Sequence, residues 1–122
     1  MLGRPTGGHD GGDNQTGITL RSGGGGGAGS AGLCDANTYV SYGGDGLETN
    51  ITDTPQMMAG GGGGFMSAGG SGVGGAGVYL NNGPDLWAHP PTPNTGSGGG
   101  AGYAQVVEPG AAGIVIVRVE VA

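Results

Sequence analysis

The clearest alternation of apolar and polar positions lies near the end of the chain. Ile114-Val115-Ile116-Val117-Arg118-Val119-Glu120-Val121 is β-branched with period two. Val115, Val117, Val119 and Val121 fall on one face, and Ile114, Ile116, Arg118 and Glu120 on the other. The pattern predicts a strand that is apolar on one side and becomes polar towards its end on the other. Shorter extended stretches are expected at 18–21, 38–42, 78–80 and 104–107. No ten-residue window carries helical spacing free of Gly and Pro, so essentially no α-helix is expected.

Between these stretches the pattern is set by glycine. The chain has 122 residues, of which 35 are Gly and 7 are Pro. The glycines gather in runs at 23–32 (GGGGGAGSAG), 60–77 (GGGGGFMSAGGSGVGGAG) and 96–102 (GSGGGAG), separated by segments with ordinary side chains. Leu, Ile, Val and Phe make up only about 16% of the chain, below the roughly 20% from which a conventional apolar core is built. Collagen is excluded, because Gly does not recur at every third position. Flexible linkers are a poor reading too, since nothing large lies between the runs.

The remaining expectation is a mainly irregular and β fold of packed polyglycine II helices with short β-strands. Such a helix has three residues per turn and no internal hydrogen bonds, so every N–H and C=O must find a neighbour or water. Without Cβ atoms, backbones can approach closely enough to bond to one another. Ordering each residue costs about 1–2 kcal/mol, against about 1 kcal/mol net per hydrogen bond, so apolar clamps must tip the balance. The expected organisation is an N-terminal docking arm over 1–22, a polyglycine body with variable loops over 23–113, and a C-terminal β-strand clamp over 114–122 in which Val115, Val117, Val119 and Val121 close the body.

Charge and rare residues narrow the function. Three Arg, no Lys and nine acids give a formal net charge of −6, which lacks the basic footprint of nucleic-acid binding. The longest apolar run falls far short of the roughly 20 residues that span a bilayer. No nucleic-acid and no membrane partner is therefore expected. Cys34 has no second Cys to pair with, and with only His9 and His89 there is no zinc spacing. Residues 7–14 have oxygen ligands in the manner of a calcium loop but lack the terminal bidentate Glu. GxGxxG occurs at 27–32 and 72–77, yet neither match is followed by a helix pattern. The expectation is no metal, no cofactor and no enzymatic activity.

The aromatic residues are Tyr39, Tyr42, Phe65, Tyr79, Trp87 and Tyr103. Most sit in or beside the excursions between glycine runs. Leu86-Trp87-Ala88-His89-Pro90-Pro91-Thr92-Pro93 reads as a loop stiffened by proline that offers a large aromatic contact. Tyr39, Tyr42, Asp85, Leu86, Trp87 and His89 are the candidate receptor or partner contacts. Two roles stand open for these aromatics: covering the scaffold's edges or neighbouring subunits, and touching a receptor.

Two ordered landmarks carry a resemblance. Residues 43–64, GGDGLETNITDTPQMMAGGGGG, resemble a pattern of glycine-rich phage tail and fibre proteins in which "GGxGLxxxITG" precedes "YAGGGGG". Residues 94–102 (NTGSGGGAG) and 110–118 (GAAGIVIVR) look like the same family's "NTGGGGGG" and "GGSGIVIVRY". Val119 stands where an aromatic commonly follows the Arg, and Ala111-Ala112 replace a Gly-Ser pair. The resemblance covers about residues 43–121. It implies a virion protein made in the host cytoplasm and carried on the particle surface, whose partners are other virion proteins and copies of itself. Relatives include tail-fibre tip adhesins, in which packed polyglycine helices hold out loops that touch a host surface glycan or protein. The alternatives are an architectural decoration or cement protein of capsid or tail, and a cellular extracellular fibre subunit.

Overall fold

The computed structural model describes residues 8–13, 22–35, 37, 40–80, 86–103 and 106–121, with the backbone alone at Leu80, Leu86 and Trp87. Its organising feature is the spacing of hydrogen bonds between extended segments. Gly24 and Gly27 donate to the carbonyls of Leu33 and Ser30, and Gly25 and Ala28 to those of Gly62 and Ala59. Likewise Gly75 and Val78 donate to Gly98 and Ala101, and Gly98 and Ala101 in turn to Gly60 and Gly63, all eight bonds falling at 2.8–3.2 Å. In each pair, donors three residues apart reach the same neighbour. A β-strand would return to one neighbour every second residue; a return every third is the repeat of a threefold extended helix.

Residues 60–64 form the centre, and all five are buried. Gly61 donates to Gly44 and Gly63 to Gly75, while the carbonyls of Gly60, Gly61 and Gly62 accept from Gly98, Gly70 and Gly25. These residues thus bond to five glycines, two of them later in the same run, as threefold helices can because their N–H groups point outward in three directions. Space is what glycine supplies here. A Cβ on Gly62 would overlap the Gly99 carbonyl, while left-handed φ values occur among the described glycines only at Gly8, Gly72 and Gly96. The interior is made of backbone: among the described residues Val78 is the single buried hydrophobic, at 0% exposure.

Where segments diverge, serine hydroxyls replace carbonyls as acceptors. Ser67 Oγ accepts from Ser41 N at 2.9 Å, Ser97 Oγ from Gly60 N at 3.1 Å and Ser22 Oγ from Phe65 N at 3.0 Å. Ser30 Oγ and Ser71 Oγ do the same for Asp45 N and Gly46 N. Ser41, Ser67 and Ser97 are buried. A short side chain that carries an acceptor fits a lattice with no room for longer groups, and it satisfies donors whose burial would otherwise cost free energy.

Among the described residues, regular β structure is confined to two antiparallel hairpins. β1 (Leu47–Thr49) pairs with β2 (Gln56–Met58), and β3 (Ala76–Leu80) with β4 (Leu86–His89), with a register shift between Ala76 and Tyr79. Asp35 with Val40 and Tyr103 with Val106 form isolated bridges. Among the described residues a single 3-10 turn spans Gly70–Gly72 and there is no α-helix. The fold class is therefore mainly irregular and β, as expected.

Two expected boundaries change. Residues 8–13, placed by sequence in the docking arm over 1–22, join the body: His9 donates to Gly27, Gly12 to Gly24, and Asp10 accepts from Gly32. The glycines at 11 and 12 let this short segment lie against the first run. The larger correction is at the C-terminus. Residues 114–121 carry no ladder, and Val115, Val117, Val119 and Val121 are 90%, 77%, 74% and 95% exposed. They do not clamp the chain's own body. The contacts come from the segment's other face: the half-buried Ile116 and the 53% exposed Ile114 line grooves with Met58 and Thr95, and Arg118 Nη1 meets Asp53 Oδ1 at 2.8 Å. Expecting the all-valine face to point inward assumes that the body offers an open sheet. It offers threefold helices already bonded to one another, and the apolar partners lie on the β1–β2 hairpin.

Candidate functional site

The hydrogen-bond registers sort the side chains to two ends of the bundle. At one end, Gly64 N donates to Ser41 O at 2.7 Å, which places Tyr42 beside the segment that runs into Phe65. Met66 N donates to Val78 O and Val78 N to Ala101 O, which brings Tyr79 and Tyr103 to the same level. The rings of Phe65 and Tyr103 meet with centroids 5.6 Å apart at 46°, a tilted contact that an aromatic quadrupole favours. Trp87 stands opposite Tyr79 in the β3–β4 register.

Phe65, Tyr79 and Tyr103 are placed by the ends of glycine segments. Phe65 follows Gly64, Tyr103 follows Gly102, and Tyr79 follows the buried Val78. The backbone can pack closely only while side chains are absent, so the first bulky residue marks where the lattice stops and must project beyond it. Tyr42, Tyr79 and Tyr103 are 48%, 40% and 41% exposed. The end thus combines rigid support with half-exposed amphipathic rings, the arrangement from which contact hot spots are built. The free Cys34 is half-buried nearby, its Sγ accepting from Ser41 Oγ at 3.7 Å.

Of the residues singled out by sequence, Tyr42 lies in this aromatic end, and Trp87 is set beside it by register. Leu86 pairs with Leu80. His89 pairs with Ala76 at the far end of that hairpin and is exposed, so the proline-stiffened stretch does not act as one loop: its first half is strand β4. Tyr39 and Asp85 lie outside the described residues. Sequence reasoning misses Phe65, Tyr79 and Tyr103 as contacts. Their signal is an aromatic standing one or two positions after a glycine run.

The opposite end is aliphatic. There the β1–β2 hairpin, the turn at 92–96 and the C-terminal segment enclose two shallow grooves of about 450 and 320 Å³. Met58, Thr95 and Ile114 line both. Asp45 accepts from the Ser71 hydroxyl at 3.0 Å and backbone N–H at 3.2 Å, which holds its carboxylate against the body. No group of three or more His, Cys, Asp or Glu among the described residues gathers to hold a metal ion.

No curated protein and no solved structure matches the chain. Among known families, the glycine-rich domain matches residues 2–120. That match takes in the central glycine lattice, the aromatic end and the valine-rich segment alike, and the chain belongs to the glycine-rich domain family.

Proposed function

We propose that the protein is a non-enzymatic structural component of a phage particle, a fibre or tail adhesin that presents its aromatic end to a host surface glycan or protein. The observation that carries this reading is the gathering of Tyr42, Phe65, Tyr79 and Tyr103 at one end of a rigid backbone lattice, with Trp87 in register beside them. Ordering costs at such a surface are already met by the scaffold, so contact energy appears as affinity. Tyrosine and tryptophan present flat apolar faces together with polar tips, which suits a partly hydrated saccharide or protein surface. The net charge of −6 disfavours a polyanionic receptor. The sequence likeness to phage tail and fibre proteins over residues 43–121 supports the same reading.

The test is a triple substitution, Tyr79→Ala, Trp87→Ala and Tyr103→Ala, in the assembled particle. Host adsorption is expected to fall at least tenfold, on the order of the loss of one strong aromatic anchor, while the protein remains in the particle. Particles that lack the protein would favour the architectural reading instead. That second reading draws on one observation, the unpaired valine face of residues 115–121. Adsorption unchanged with the protein retained would refute the adhesin role.

A further inference from the structure

We infer that residues 117–121 pair with the same residues of a second copy of this chain, as antiparallel strands related by a twofold axis through Val119. Three observations meet on this segment. Val115, Val117, Val119 and Val121 leave an apolar row 74–95% exposed. No backbone hydrogen bond joins residues 113–121 to any other described residue, so neither edge of this β-branched segment is paired among the described residues. Such an edge is a template for pairing with another chain. The polar face then specifies the partner, because Arg118 and Glu120 stand two residues apart with opposite charge.

The register follows from that charge pair. Pairing in parallel and in step would set Arg118 beside Arg118, and an antiparallel axis through residue 118 would do the same; like charges directly opposite are destabilising. An axis through Val117 would put the two charges opposite Ile116 and Ile114. An axis through Val119 sets each Arg118 opposite the other copy's Glu120, and Val117 opposite Val121, twice over. Asp53 does not compete, since it takes one guanidinium N–H of a side chain with five donors and the contact is exposed. The strand is also supported from behind. The half-buried Ile116 and the partly exposed Ile114 line the grooves of the β1–β2 end, which lessens the weakness of a free two-stranded ribbon. The pairing would leave the aromatic ends of the two copies free, and it does not rest on what those ends bind.

Sedimentation of the full chain at concentrations up to roughly 100 μM, the weak end of specific association, tests the inference. The wild type is expected to form dimers. Arg118→Glu alone and Glu120→Arg alone each place like charges opposite one another, and each is expected to raise the dimerisation midpoint about tenfold. Mixed in equal amounts, the two variants regain wild-type association, because a strand with acids at both positions then lies opposite a strand with arginines at both. A wild type that stays monomeric, an assembly of another order, or a mixture no better than its components would overturn the proposal. Circular dichroism of each variant verifies that the single-chain fold is kept.

Discussion

At the scale of the residue, glycine is used here for the absence of a side chain more than for conformational freedom, and the two uses predict different costs. At Gly62 a Cβ would collide with the Gly99 carbonyl, a backbone atom that cannot swing away. Gly62→Ala is expected to cost about 3 kcal/mol or more, at the upper end for overpacking a close-packed interior. Gly72 has open space around it but φ of +68°, so Gly72→Ala is expected to cost about 1–2 kcal/mol in backbone strain alone. Gly113 has neither neighbours nor a left-handed φ, and Gly113→Ala is expected to stay within about 0.5 kcal/mol of wild type. Denaturant melts of the three variants give the ranking. Equal costs would mean that close approach does not organise the interior. Alanine and methionine appear in left-handed conformations at Ala59 (φ 55°) and Met66 (φ 58°), where the chain enters and leaves the stretch 60–64.

At the scale of the element, the serine acceptors test how fully the lattice satisfies its own donors. Ser97 is 2% exposed and its hydroxyl accepts from the buried Gly60 N–H and from Thr95 Oγ1. Ser97→Ala leaves that N–H with no acceptor, a loss expected at about 1–3 kcal/mol. Ser30→Ala, where the accepted bond from Asp45 is exposed and water can replace it, is expected to cost about 0.5 kcal/mol or less. Thermal melts separate the two. The glycine runs, the lack of helix and the strand at 78–80 are legible in the sequence because each depends on local composition or pattern. The β1–β2 hairpin is not, since Leu-Glu-Thr and Gln-Met-Met have little β-branching and pair only because the body fixes where both ends emerge. The proline-flanked stretch at 86–89 becomes a strand for the same reason: β3, anchored in the lattice by Val78, presents an edge to it. The valine row is legible as one apolar face, but its direction depends on whether a partner exists inside the chain, and periodicity alone carries no such information.

At the scale of the whole molecule, the described residues form a defined interior in which Val78 is the single buried hydrophobic. Hydrogen bonds between threefold segments take the role of an apolar core, and they act together because each central glycine joins several neighbours at once. The same geometry explains the polarity of the body, with aromatic residues at one end and the β1–β2 hairpin, grooves and valine row at the other. Bulky residues are expelled to the ends by a lattice with no room for them. The direct test of this interior is native-state hydrogen exchange at individual amides. The N–H groups of Gly25, Gly61, Gly63, Gly70, Gly75 and Gly98, which bond between segments at 2.8–2.9 Å, are expected to be protected to a common extent and to lose protection in one cooperative transition. Exchange of those amides at the rates of an unstructured glycine peptide, or independently of one another, would contradict a backbone-bonded core.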